Sequence, residues 1–422
     1  MSKTYDQWLS WIESCHVTEI DLGLDRCRQV LHQLLNEKLN CTILTVAGTN
    51  GKGSTVAVLE ALALQANKSV VVYTSPHILN YRERLRFNGS WLTEQLHVDL
   101  FEAIDKARDN ISLTYFEFAT LSAFKSAEIL KPDLLILETG LGGRLDAVNV
   151  VEADLAIITT VDYDHQEWLG NDLVGIAREK AGIIHGNTTA IIADPDFPAE
   201  IIQEIKTTTD DVYISGEHFN HHDQKNSWTW KNNDLGDWEF EHLTFPNSNA
   251  SAAIHAWYKL YKNFQLSEDF IRKALSNLQL DCRFETLLQK PSVILDVAHN
   301  PQAFRVQLAL LNRQACKGNT YFVLGMLEDK NTIDCINEIK SVVDQWFLTD
   351  LDATRGNTAH NLKQHLMDTG VHKDKLTCYK SPEKAFKASR DKASRDDRII
   401  VTGSFYTVAP ILALIQASKS TD

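Results

Sequence analysis

The chain has 422 residues, 44% hydrophobic and 23% charged, which is enough for two or more globular cores because single cores stop growing at roughly 250–300 residues. A formal charge of −14 repels polyanions and argues against a nucleic-acid partner, so an anionic substrate needs a local basic cluster; "YRERLRFNG", with Arg82, Arg84 and Arg86, is a candidate. Seven scattered cysteines form no CxxC pair, no apolar run approaches the ~20 residues a bilayer demands, and the N-terminus lacks a signal-peptide core, so a reduced cytoplasmic protein with no membrane partner is expected.

From residue 42 to about 195, strand-like runs ("CTILTVA", "SVVVYT", "DLLILET", "DLAIITTV", "TTAIIAD") alternate with helical patterns such as "TVAVLEALALQA", "EQLHVDLFEAIDKA" and "FEFATLSAFKSAEIL". Continuous apolar runs suit a parallel sheet covered on both faces, so the order predicts a doubly wound α/β domain. Residues 208–247 change character and read as short exposed strands and polar turns rather than core, with "HHD" as solvated surface. Two helical stretches follow, "NASAAIHAWYKLY" and "SEDFIRKALSNL". "DCRFETLLQKPS" then breaks the pattern, with Pro291 disfavouring helix before it. A second α/β series ("VILDVA", "TYFVLG", "QWFLTD", "KLTCYK", "RIIVTG") predicts a smaller Rossmann-like domain. The boundary is expected near 286–290, giving domains 1–288 and 289–422.

In "VAGTNGKGST" a glycine-rich turn stands where a strand meets a helix. It is not the generic GxxxxGK[ST] loop: Gly48 precedes Gly51 and Lys52 by only three positions, and Gly53 stands where Ser or Thr would follow the lysine. The parts of a phosphate cradle are nevertheless present. Glycines admit a ligand to the main chain, the helix start offers N–H groups and a positive dipole end, and Lys52 adds a full charge. The expected roles are Lys52 on the β/γ-phosphates, backbone N–H groups of Asn50, Gly51, Lys52, Gly53, Ser54 and Thr55 around them, and Ser54 close to a metal.

Other strand ends carry polar groups where open α/β sheets bind ligands: Ser75 and His77; Glu138, then glycines and Asp146; Asp162, Asp164 and His165; and, in the second series, Asp296, His299 and Asn300. Beside a phosphate loop, such groups suit the hard Mg²⁺ ions that accompany nucleotide triphosphates.

"GTNGKGS", "YTSPH", "LTYFEFATLSAF", "LETGLGGRLDAVN", "DHQEWLG", "REKAGI", "DVAHNP", "GMLEDK" and "VTGSFYTVA" resemble the bacterial bifunctional dihydrofolate synthase/folylpolyglutamate synthase family of the Mur ligase superfamily, in the family's order from about residue 17 to 408. The resemblance implies an N-terminal phosphate-loop ATPase-like domain that binds ATP and pterin, and a C-terminal Rossmann-like glutamate-ligase domain. It implies an amide ligase that adds L-glutamate to dihydropteroate, and to the glutamate tail of reduced folates, through an acyl phosphate. ATP and two Mg²⁺ ions are implied: Ser75 and Glu138 would hold one, His165 would help hold the second, and Lys180, carbamylated by CO₂, would be an anionic metal ligand. The plainer reading of Lys180 is a helix-surface pair with a carboxylate such as Glu179. Asn249, Arg283 and Asp296 would contact ATP, Arg283 on phosphate and Asp296 near the ribose or metal, with His299 beside them as a further catalytic candidate. The pterin side is implied for Asp21 and Arg26 of "DLGLDR", for Thr114, Tyr115, Phe116 and Glu117, and for Leu145, Asp146 and Ala147, with Arg82 as a basic contact. Tyr115, Phe116 and Phe118, crowded on successive positions of one segment, cannot all face one core, so at least one is expected to contact the ligand.

One departure stands out: Asp281 and Cys282 replace the family's Pro-Gly before Arg283. Small molecules are the only partners expected, and a monomer is the expected state. A monofunctional folylpolyglutamate synthase or another Mur-type ligase is the alternative enzyme; a nucleotide switch has no use for a second domain or two sets of metal ligands.

Overall fold

A computed structural model describes residues 3–18, 20–261, 264–276, 278 and 280–419. The chain forms two compact units, Met1–His242 with Asn247–Leu278, and Gln279–Asp422 with Leu243–Pro246.

The first unit is built on eight strands: β1 (Thr42–Ala47), β2 (Val70–Tyr73), β3 (Leu85–Phe87), β4 (Ser90–Trp91), β5 (Leu134–Glu138), β6 (Leu155–Ile158), β7 (Thr189–Ile192) and β8 (Val212–Ile214). Their order is β4-β3-β2-β5-β1-β6-β7-β8, parallel from β2 to β8 with β3 and β4 antiparallel at one edge. The five expected strands, with β8 added at the far edge, make up the parallel part of the sheet. The edge hairpin sits inside the stretch read as a basic cluster; its turn is Asn88–Gly89, both at positive φ, the sequence pair that tight hairpins favour.

β1 lies at the centre with Val46 opposite Glu138 of β5 and Ala47 opposite Ile158 of β6. The glycine-rich turn therefore opens between the ends of two other strands, where a doubly wound sheet binds its ligand. The helix Lys52–Gln65 is buried along most of its length, as its all-round apolar sequence requires. On the other side, helices Tyr5–Glu13, Asp25–Leu34, Glu94–Arg108 and Tyr115–Leu130 close a core that includes Trp8, Phe101, Phe118, Phe124, Leu135 and Leu137. Burial of each such large apolar side chain contributes about 1.5–3 kcal/mol.

Residues 219–241 form an antiparallel meander, β9 (Phe219–Asp223), β10 (Ser227–Asn232) and β11 (Gly236–Glu241). The strands are as expected, but one face is core: Trp228 and Trp230 are fully buried, and Trp230 Nε1 donates to the Ser251 carbonyl at 3.2 Å. Alternation along β10 hides the two indoles among polar neighbours, which is why the segment reads as exposed.

In the second unit, β12 (Glu285–Gln289), β13 (Ser292–Leu295), β14 (Thr320–Leu324), β15 (Gln345–Thr349), β16 (Leu376–Tyr379) and β17 (Arg398–Thr402) form a sheet ordered β12-β13-β17-β14-β15-β16. All neighbours are parallel except β12 with β13. That hairpin moves the boundary. Glu285 pairs with Leu295 and Gln289 with Ser292, so residues 279–288, expected in the first domain, belong to the second. Among the described residues no helix is long and apolar enough to cross a membrane.

Candidate active site

The turn after β1 is shaped by what a side chain would strike. A Cβ on Gly48 would lie 1.8 Å from Thr159 Oγ1, and one on Gly51, which adopts φ +85°, would lie 2.6 Å from Asn249 Oδ1. Thr159 Oγ1 and Thr160 Oγ1 donate to the Asn50 carbonyl at 2.6 and 3.1 Å, and the Asn50 amide donates to Thr160 Oγ1 at 3.2 Å. Thr49 and Asp162 add a reciprocal pair at 3.0 Å. The two threonines after β6 thus grip the loop, a role the sequence reading did not assign. The Asn50 amide, and the Thr55 amide that bonds the Gly51 carbonyl, are engaged within the protein. Lys52 opens the helix and its Nζ donates to the Gly48 and Thr49 carbonyls at 2.8 and 3.3 Å, curled over the loop. Asn249 Nδ2 donates to Ser54 Oγ at 2.8 Å, bringing an expected nucleotide contact onto the helix start from 195 residues away.

At the neighbouring strand ends, the Ser75 amide donates to the buried Glu138 carboxylate at 3.1 Å. The loop after β5 is organised by Asp146, which accepts from the amides of Gly140, Leu141 and Val148 at 2.8–3.0 Å. Burial raises its pKa to about 6, against those three hydrogen bonds and the Lys52 charge. The glycines of "GLGG" let this loop lie on the end of the helix Leu173–Ala181, because a Cβ on Gly143 would be 2.8 Å from the Glu179 and Lys180 carbonyls. Asn149, unremarked in the sequence, clamps the same junction by donating to the Arg144 and Gly182 carbonyls at 3.1 and 2.9 Å.

Lys180, in the last turn of that helix, is only 3% exposed. Its pKa is lowered to about 7, first by burial and then by the Lys52 charge, while Asp164 and Asp146 pull the other way. The plainer reading of a surface pair with Glu179 is not what forms, since Glu179 bonds Arg144 at 2.8 and 2.9 Å. His165, at φ +51°, begins a short helix with its Nε2 3.9 Å from Asp164 Oδ2. Among the described residues no three His, Cys, Asp or Glu side chains are grouped closely enough to hold a metal ion. A Mg²⁺ shell here would need further oxygens.

On the pterin side, Arg26 bridges two carboxylates, with Nη1 2.5 Å from Asp21 Oδ2 and Nη2 3.0 Å from Glu117 Oε1. Glu117 also accepts from the Thr114 amide at 2.7 Å while Thr114 Oγ1 accepts from the Glu117 amide at 3.1 Å, a capping box that starts the helix Tyr115–Leu130. Four expected residues thus form one network. His16, not flagged beforehand, extends it, its Nε2 3.2 Å from Asp21 Oδ2. The three aromatics divide: Phe118 is core, Tyr115 stands edge-on to Tyr81 at 5.6 Å with the Arg84 guanidinium 5.2 Å from its ring, and Phe116 lies against Tyr73 at 6.0 Å and against Gly140, where a Cβ would sit 2.5 Å from its ring. Leu145 is half-buried, and Asp146 and Ala147 are buried, in the loop that carries Gly140.

The basic cluster is not one anion site. Arg86 is bound by Glu60 at 2.8 and 3.0 Å, which cancels its charge; Arg84 is buried and donates to His77 Nδ1 at 2.9 Å; Arg82 donates to the Leu92 carbonyl at 2.6 Å. Burial, with Arg84 second, lowers the His77 pKa to about 4.

In the second unit, Asp296 directly follows β13 and accepts from Gln307 Nε2 at 2.9 Å. Burial raises its pKa to about 6, opposed by that bond, by Arg283 and by the Ala298 amide. His299 Nδ1 donates to the Val297 carbonyl at 2.8 Å, Asn300 caps the helix Pro301–Arg313, and the Arg283 guanidinium lies 5.8 Å from the Phe405 ring. Cys282 takes φ +54°, its amide donating to Glu285 and its carbonyl accepting from Val297. The cysteine thus occupies a left-handed conformation that glycine adopts without strain and other residues adopt at roughly 1–2 kcal/mol.

A central glycine-lysine phosphate loop in one α/β unit, with a smaller α/β unit after it, is the plan of an ATP-dependent acid–amino-acid ligase. Residues 282–405 match the model of the Mur ligase, glutamate ligase domain. The dihydrofolate synthase/folylpolyglutamate synthase of Escherichia coli (strain K12) is 38% identical over 419 residues, covering 98% of this chain and 96% of that protein. Among solved structures, E. coli FolC in complex with DHPP and ADP superposes with a TM-score of 0.92 at 36% identity over 99% of each chain. A bifunctional folylpolyglutamate synthase/dihydrofolate synthase with Mn, AMPPNP and L-glutamate bound gives 0.88 at 37% identity over 98% of each. The chain belongs to the dihydrofolate synthase/folylpolyglutamate synthase family, whose members join glutamate to folate precursors and folates at the expense of ATP.

Proposed function

We propose that ligation runs on the loop Gly48–Ser54 and the strand ends around it, with the following division of labour. Lys52 neutralises the β/γ-phosphates, leaving the Gly48 and Thr49 carbonyls as nucleotide binds. The acceptor carboxylate, that of dihydropteroate or of a folate's terminal glutamate, takes the γ-phosphoryl group, forming a C–O–P acyl phosphate and releasing ADP. The glutamate amine then forms a bond to the carbonyl carbon, loses a proton, and the tetrahedral intermediate expels inorganic phosphate. Because the chemistry resides in the phosphates, the protein's work is positioning and charge neutralisation.

Asn249 orients the nucleotide from the helix start, and Arg283, Asp296 and His299 are the further ATP contacts of this reading. Ser75 and Glu138 would hold one divalent cation and His165 with carbamylated Lys180 a second, and these ions would supply charge compensation on the phosphates. The fit is chemical: Glu138 and Ser75 adjoin, and Lys180 is a buried amine with its pKa lowered to about 7, neutral enough to add its lone pair to CO₂ and lose a proton. The carbamate gives the missing oxygen donors. Asp21, Arg26, Thr114, Tyr115, Phe116, Glu117, Leu145, Asp146 and Ala147 enclose the pterin, with Arg82 at its margin. The enzyme acts in the cytoplasm as a monomer on small molecules alone.

The observation that supports this reading is the loop itself: Lys52 curls over the Gly48 and Thr49 carbonyls, Asn249 reaches Ser54, and Glu138 lies opposite Val46 on the adjacent strand. Purified protein with ATP, Mg²⁺ and glutamate should extend both dihydropteroate and a tetrahydrofolate, with phosphate release only when all substrates are present. Release independent of the pterin substrate would overturn it.

A further inference from the structure

Gln307, on the inner face of the helix Pro301–Arg313, is fully buried, a rare position for glutamine. Its amide donates in two directions, to Asp296 Oδ2 at 2.9 Å and to Thr402 Oγ1 at 3.1 Å. Its own Oε1 is buried with no hydrogen-bond partner among the described residues. An unpaired buried carbonyl is costly, and a leucine here would avoid it, so packing alone does not account for the residue.

What the amide does gain is control of two strand ends. Asp296 follows β13, Thr402 ends β17, and the strands are neighbours, with the Asp296 amide donating to the Val401 carbonyl at 3.0 Å. Gln307 is the side chain that bonds both. By tying down Oδ2, and together with the Ala298 amide that also bonds this carboxylate, it restrains the rotation of the Asp296 side chain. A carboxylate held this way can accept hydrogen bonds from a pair of nucleotide hydroxyls without first losing rotational freedom.

We infer that Gln307 is a positioning residue for nucleotide binding, acting through Asp296. This rests on the proposed contact between Asp296 and ATP. The test is a double-mutant cycle in the full chain with Gln307→Leu, Asp296→Asn and the double variant, reading kcat, the KM for ATP, glutamate and dihydropteroate, and Tm; Gln307→Met is the second variant should the leucine form fold poorly. Gln307→Leu should raise the KM for ATP about tenfold, the usual scale for losing a hydrogen bond to a charged group, with kcat and the other two KM values within about twofold. The double variant should bind ATP no more weakly than Asp296→Asn alone. Additive losses, or a lowered Tm with all substrates affected equally, would reduce Gln307 to a packing residue. If Asp296→Asn weakens ATP while Gln307→Leu does not, the positioning role alone fails; if neither weakens it, the ATP contact of Asp296 falls as well.

Discussion

Replacing Lys180 by methionine should make the ligand-free enzyme more stable and nearly inactive. An amine titrating at about 7 is half neutral at pH 7, against roughly one part in 3,000 for an amine at its ordinary 10.5. That difference is the cost of burying the group beside Lys52, on the order of a few kcal/mol while the amine is unmodified. The sign follows from proton counting. Between about 7 and 10.5 the unfolded chain holds a proton on Lys180 that the folded chain has released, so stability rises with pH across that window, and the full penalty applies below it. Lys180→Met removes the penalty with little change in volume. In CO₂-depleted buffer without nucleotide, its Tm should exceed wild type by several degrees at pH 7, at roughly 2–4 °C per kcal/mol, and converge with it toward pH 10. Ligation should fall by about 10²-fold or more, and Lys180→Ala should recover part of it with a short-chain carboxylic acid. Differential scanning fluorimetry across pH, an ADP-release assay and ¹³C NMR in labelled bicarbonate read the three effects. Wild-type turnover by Lys180→Met, or no carbamate signal lost on mutation, would refute the reasoning.

Lys52→Ala should cost roughly 3–4 kcal/mol of transition-state stabilisation, a loss of about 10²–10³ in kcat/KM with the fold intact by circular dichroism. Gly51→Ala should abolish nucleotide binding in a fluorescent-ADP titration, because its Cβ would meet Asn249 Oδ1 at 2.6 Å in a backbone already at φ +85°. Arg26→Ala leaves Asp21 and the buried Glu117 without their cation, so the KM for dihydropteroate should rise and Tm fall while the KM for ATP holds. At position 282, Cys282→Gly should change stability by under about 1 kcal/mol, relief of left-handed strain offsetting the lost burial, whereas Cys282→Val should lose more than about 2 kcal/mol in urea melts.

The parallel strands were legible because each is a continuous apolar run between turns, a pattern that local composition alone produces. The pieces with mixed neighbours were not. The hairpin β3–β4 was hidden by its arginines, and the meander β9–β11 by the alternation that buries only every second side chain of β10. The boundary slipped by about ten residues for a related reason: β12 is half-buried up to an exposed Gln289, with no fully buried position, so nothing in its composition says which sheet it joins.

Site residues divided along a similar line. Groups whose chemistry is declared by type and place, such as Lys52 after glycines or Glu138 at a strand end, could be singled out one by one; what could not be read was which partners tertiary structure would hand them. Arg86 looked like a free cation and is cancelled by Glu60, 26 positions away on another element. Glu179, the partner in the plainer reading of Lys180, is turned instead to Arg144, because Gly143 and Gly182 let the loop after β5 lie against the helix end. With its sequence neighbour paired elsewhere, Lys180 is folded inward, where burial first and the Lys52 charge second lower its amine pKa to about 7.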